Sequence, residues 1–295
     1  MKINKTRNCL HLAILILAGA LTAGAQSFSI PSGRITNYLD WTESFEGSTG
    51  SSGQEMVLNS SAMYHFGRFS VGAGIPVYLD RSISPNAVTI SEGIGDAFVK
   101  AGSSWNGLLF DSSTVLTVSA PTGNPDKGFG TGHATFDLTD HLDHNFSGLD
   151  PFLDAGVANT LSDTLFFHRP FTSYGFLAHF EGGASLDLPR SLTFFASAYE
   201  IAPWGTQTII SRDVVYGATG SGGQDGRVFE VNHLTTGPAY INHDDGFTAG
   251  LTFHPKPYLN LAVGYTRSLS FEFNTFSLGI GVDMSRLIGG ENPTR

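Results

Sequence analysis

One cysteine, Cys9, stands among 295 residues, so close to the start that the rest of the chain has no thiol at all. This excludes disulfide staples and thiolate metal sites from the body of the protein. Charge is also scarce, at 14% Asp, Glu, Lys and Arg. What charge there is leans acidic, which removes nucleic acid from the expected partners. After Leu21 no apolar run approaches the roughly 20 residues of a membrane-spanning helix. No Gly-x-Ser-x-Gly elbow occurs, and no glycine-rich loop closes on Lys-Ser or Lys-Thr, so neither the usual hydrolase signature nor a phosphate cradle is read.

What is present begins with an export signal. Lys2, Lys5 and Arg7 form a basic start, Leu10–Leu21 an apolar core, and Ala23-Gly24-Ala25 a small-residue cleavage site before Gln26. Residues 1–25 are therefore expected to be removed, and Cys9 with them. That segment takes three basic residues and no acidic one, leaving 13 Lys and Arg against 26 Asp and Glu, a formal charge of −13. Glycine (36) and phenylalanine (23) are abundant, which suits many strands, tight turns and aromatic membrane-facing positions.

Alternation with a period of two runs through the chain. In the last instance Phe276, Leu278, Ile280, Val282 and Met284 face away from Thr275, Ser277, Gly279, Gly281 and Asp283. Such a strand is wet on one face only. Phe247–His254 and Leu259–Ser268 share the pattern, as do Met56–Phe66 and Phe69–Leu79, whose turn at Gly67-Arg68 suggests a hairpin. Further runs lie at Leu116–Ala120, Ala134–Leu138 and Tyr174–Phe180, and weaker ones at Ile35–Phe45, Ile94–Trp105, Phe152–Ala158 and Leu192–Ile201. About twelve strands result. The expected fold is all-β: a transmembrane antiparallel up-and-down β-barrel over residues 26–284, followed by a C-terminal tail over 285–295. Asp140–Pro151, Leu161–Pro170 and the irregular Pro203–Tyr240, with its glycine-rich 217–226 stretch, read as loops. An exported β-sandwich that binds a partner shares part of the signature. So does a barrel lipid hydrolase whose Ser, His and Asn meet only in space.

Between Gly74 and Gly132 the sequence carries a more specific pattern: Gly74-Ile75-Pro76-Val77, Gly93-Ile94-Gly95-Asp96, Val118-Ser119-Ala120-Pro121-Thr122-Gly123 and Gly128-Phe129-Gly130-Thr131-Gly132. In this order the motifs resemble the outer-membrane family named for the meta-cleavage pathway of phenol degradation, transporters distantly similar to the barrels that admit fatty acids and aromatic hydrocarbons. The resemblance covers roughly Phe69–Leu138. It implies a channel for small, often hydrophobic molecules; passive passage of small solutes, hydrophobic or aromatic ones included, is expected, with no enzymatic activity and no cofactor.

Alternation also nominates side chains for the lumen. Asp96 and Lys100 fall opposite Ala97, Val99 and Ala101, and Phe98, Asp137, Phe152, His179 and Glu181 are likewise placed on inward faces. An excess of carboxylates there favours cations or neutral solutes over anions. His141-Leu142-Asp143-His144 with Asp140, and His243-Asp244-Asp245, have metal-ligand chemistry, but as loop residues they read as solvated, and neither a metal nor a catalytic site is assigned. Trp41, Trp105 and Trp204 read as interface belts. The expected partners are membrane lipid, a small-molecule solute and the outer-membrane assembly machinery. A chain running on through Ser285–Arg295 lacks the terminal aromatic residue with which many such barrels end.

Overall fold

A computed structural model describes residues 37–49, 53–84, 87–107, 109–161, 168–212, 214, 229 and 232–289. The signal segment, the 217–226 stretch and Phe166-Phe167 lie outside them. Sixteen strands follow one another. They are β1 (Tyr38–Thr49), β2 (Gly53–Phe66), β3 (Phe69–Ser84), β4 (Ala87–Ile94), β5 (Phe98–Asn106), β6 (Asp111–Ser119), β7 (Thr135–Asp143), β8 (Leu149–Ala158), β9 (Phe171–Tyr174), β10 (Leu177–Leu188), β11 (Leu192–Pro203), β12 (Thr206–Ser211), β13 (Leu234–Pro238), β14 (Asp244–Lys256), β15 (Leu259–Ser268) and β16 (Asn274–Asp283). Twelve of them, all but β4, β9, β12 and β13, form one closed antiparallel barrel.

Closure is made by β1 and β16, in register from Asp40 opposite Asp283 to Thr49 opposite Asn274. Twelve strands closed on themselves make a barrel and not two stacked sheets, so the sandwich reading is set aside. Because paired residues share a face, the register can be followed around the wall. Phe45, Leu58, Val77, Val99, Leu116, Leu138, Val157, Phe180, Phe194, Leu251, Val263 and Leu278 all lie on the outer side. Trp41, Trp105 and Trp204 remain exposed on that surface, Trp105 beneath the Arg68 guanidinium at 4.4 Å and Trp204 stacked on Phe176. With strands of nine or more residues, this apolar exterior matches a bilayer. The exterior has a polar interruption: Glu43 on β1 accepts a 2.7 Å hydrogen bond from Ser60 on β2, and Ser60 in turn accepts one from the Trp41 indole.

The two rims differ. At one, connections are short: Gly67-Arg68, 107–110, 144–148, Pro189–Ser191 and Pro257-Tyr258. At the other, β6–β7, β8–β10 and β11–β14 are joined by long segments. Short turns mark the periplasmic rim and long connections the extracellular one. Both chain ends of the barrel lie on the short-turn side. There Met284–Gly289 forms a short helix whose Ser285 hydroxyl accepts from the Leu39 amide at 2.8 Å, while Asp283 caps the Arg286 amide.

Three expectations change. The run Tyr174–Phe180 is not one strand: Gly175, at φ +148°, turns the chain between β9 and β10. β9 joins β12 and β13 in a separate three-stranded sheet, so the irregular Pro203–Tyr240 segment carries strands at both ends. And Asp140–Pro151 is mostly strand, its connection shrinking to 144–148. Short strands with little alternation are hard to see in sequence because a four-residue element gives the period only two repeats.

The apolar core lies at the extracellular mouth, not along the wall. Ala158, Leu177 and Ile201, at the tops of β8, β10 and β11, meet Phe171, Ile209, Ile241, Phe271 and Phe273 from the connections. Each buried side chain of this size contributes roughly 1.5–3 kcal/mol.

Candidate functional site

The inner wall combines two kinds of position. Several glycines face the lumen, and across three of them lies an aromatic ring from a neighbouring strand. A Cβ built at Gly74 would fall 2.4 Å from the Phe98 ring, at Gly250 2.4 Å from Phe195, and at Gly183 2.9 Å from Phe152. The rings are thus laid against the wall over glycine and do not project across the lumen. Between them run carboxylates and imidazoles. His179 Nε2 lies 3.1 Å from Asp137 Oδ1, which also accepts from Thr139 at 2.8 Å. His141 Nδ1 is bonded to Asp154 at 2.7 Å, with Asp143 3.5 Å from its other nitrogen, and Ser197 donates to Glu181 at 2.5 Å. His141 and Asp143, read from the sequence as solvated loop residues, are inward strand residues of this ladder.

Of the nominated residues, the register puts Phe98, Lys100, Asp137, Phe152, His179 and Glu181 on inward positions of β5, β7, β8 and β10. Asp96 stands elsewhere. Val77 pairs with Ile94 and Gly74 with Phe98, so three residues, Gly95–Ala97, oppose only Ile75 and Pro76. The extra residue takes Asp96 out of the alternation. Its carboxylate accepts instead from the backbone amides of Gly123 and Thr131, each at 2.9 Å, and from the Thr131 hydroxyl. Around it the four motifs of the middle segment meet. Gly95 N–H donates to the Pro76 carbonyl, the Thr122 hydroxyl bonds Gly95 and Ala97, and added Cβ atoms at Gly123 and Gly130 would strike the Phe129 carbonyl and Asp96 itself. Phe129, 1% exposed, is carried inward by this knot and stacks on Tyr78 at 5.4 Å.

Sequence reasoning missed the charged network above the ladder. Segments leaving one half of the wall end on inward side chains of the other half. Arg212, after β12, donates from Nε to Glu55 of β2 at 3.0 Å, from Nη1 to the Gly128 carbonyl and the Thr172 hydroxyl at 2.9 Å, and from Nη2 to the carbonyls of Arg169 and Phe171. Its guanidinium also lies 4.6 Å from the centre of the Tyr78 ring. His168 stands 3.0 Å from the other Glu55 oxygen, and its carbonyl accepts from Thr275 of β16. Arg169 faces Asp244 at 3.6 Å, and Asp244 accepts from Tyr199 and Ser268. Glu55 alternates correctly with Met56 and was legible as an inward residue. Arg212, His168 and Arg169 sit in segments with no apolar period, where no sequence signal distinguishes a buried cation from a solvated one.

Together these contacts place a plug across the extracellular mouth, over a lower lumen lined by the acid and histidine ladder. No family model matches the chain, and no curated protein is similar to it in sequence. Among solved structures, an outer-membrane channel from Pseudomonas putida F1 aligns with 88% of this chain and 99% of its own, at TM-score 0.60 and 11% identity. This protein has the fold of an outer-membrane β-barrel. The NanC and KdgM porins align more loosely, at TM-scores 0.46 and 0.45 and 10% and 9% identity, over 83% and 82% of this chain and 99% and 98% of theirs. The barrel fold is thus common ground with a solved channel, whereas the phenol-pathway resemblance has no family match behind it.

Proposed function

We propose that the protein is an outer-membrane channel through which small solutes, hydrophobic or aromatic ones included, pass passively. The observation that carries this reading is the inner wall. Polar and ionisable side chains line it along a closed barrel, while flat rings over glycine leave room between them. A packed interior would have been the alternative use of a barrel of this size. The solved barrel of like fold is described as a channel, and the motifs that resemble the phenol-pathway family build the knot that carries Phe129 into the mouth. The plug implies low conductance. Membrane lipid would surround the apolar exterior, and the outer-membrane assembly machinery would insert the chain after export.

Purified, folded protein in planar bilayers and in swelling liposomes tests the reading. Small unitary conductance and uptake of small neutral solutes are expected; a folded barrel with neither would overturn it.

A further inference from the structure

The lumen wall carries acid from many strands and basic charge from one place. Among the described residues, Lys100 is the lone lysine or arginine at an inward position of the twelve barrel strands, whereas Asp40, Glu46, Asp137, Asp154 and Glu181 are inward carboxylates. Arg169 and Arg212, the cations of the plug, are neutralised in place by Asp244 and Glu55. Lys100 is held differently. On one side its neighbour across the ladder is Gly72, which has no side chain to meet it, and on the other it is Thr117, with Asp137 beyond on β7. Asp137 is the acid that acts on the ammonium, and its carboxylate also meets His179 and Thr139. The ammonium lies 5.2 Å from the centre of the Phe98 ring, whose own position is set by Gly74 beneath it. Phe98 is the first residue of β5 below the Asp96 knot, so Lys100 stands just under the plug, where the pathway passes from ladder to mouth.

We propose that Lys100 sets the charge selectivity of the channel: a single positive station that offsets the acidic ladder and lets anionic solutes past a lumen that would otherwise repel them. This rests on the channel reading. A charge inside a partly desolvated lumen acts on permeating ions far more than one at a wide mouth, so one inward lysine offsets part of the field of the acids around it.

The permeability ratio of potassium to chloride, from reversal potentials in a salt gradient, decides the matter. Lys100→Gln is expected to raise that ratio at least about threefold and Lys100→Glu further, with Lys100→Arg leaving it near the parent value. For a control within one folded protein, Lys100→Cys in a Cys9→Ser background is measured before and after reaction with an aminoethyl thiosulfonate, which restores a positive group and should return the ratio toward the parent's. Conductance with an unchanged ratio in Lys100→Gln, or no response to the thiol reagent, overturns the proposal alone. A folded parent protein that conducts nothing overturns the channel reading and this proposal with it.

Discussion

Asp96 shows how much one carboxylate can organise. It satisfies two backbone amides and a hydroxyl of a connection that has no ladder of its own. Removing an acceptor of this kind leaves buried N–H groups unpaired, at about 1–3 kcal/mol each. Asp96→Ala is therefore expected to lower stability to urea in lipid vesicles by roughly 2–4 kcal/mol and to open the 120–134 connection to protease, with Asp96→Asn retaining part of the effect. Arg212 is the second such residue, its pair with Glu55 98–99% buried on both sides. Breaking a buried pair from one side costs about 3–5 kcal/mol. Arg212→Met should raise unitary conductance several-fold by loosening the plug, and Arg212→Met with Glu55→Gln should recover stability while keeping the larger conductance. On the outer face, Ser60→Ala takes from Glu43 one of its two side-chain donors, the other being Trp41, and is expected to cost about 1–2 kcal/mol in the same unfolding assay.

At the scale of elements, what the sequence reveals depends on length and on partners. The long strands are legible because ten residues give five repeats of the period: β14, β15 and β16 match the runs read from Phe247 to Met284 within a few residues, and the β2–β3 hairpin turns at Gly67-Arg68 as its spacing implies. β9, β12 and β13 are not legible, since their burial comes from packing in the mouth and not from a two-sided wall. The bulge at Gly95–Ala97 escapes for another reason. Register is a relation between strands, and only the partner's Ile75-Pro76 shows that one residue is extra. Alternation signals which strand positions share a face, but not Asp96, which the bulge takes out of register, nor the cations of the plug. The short terminal helix adds little to the barrel, because β1 and β16 are fully paired by Asp283. Truncation after Met284 should leave heat-modifiable migration unchanged; its loss would show that the Ser285 contact with Leu39 is needed for closure.

For the whole molecule, the exterior and interior obey opposite rules. Outside, twelve strands present aliphatic and aromatic side chains; inside, paired acids and histidines alternate with glycine. A protein so arranged is expected in the outer-membrane fraction, extractable by detergent and migrating faster unheated than boiled. Recovery in the soluble periplasmic fraction would contradict that. The low basic content also has a consequence at this scale: with Lys100 the lone inward lysine or arginine of the barrel strands among the described residues, currents should be more cation-selective at low salt than at high, because screening weakens the carboxylates' field as ionic strength rises. Reversal potentials measured at two mean concentrations and a fixed gradient ratio would show it.

The meeting of β1 with β16 gives the wall a cyclic order in which neither strand is first. Both ends of that seam emerge on the same rim, with Leu39 and Ser285 in contact. Joining them by a short linker and reopening the chain between Gly67 and Arg68 would preserve every rung of the ladder while changing where translation starts. The sequence order of the strands is then a matter of biosynthesis, and the ring is what the physics specifies.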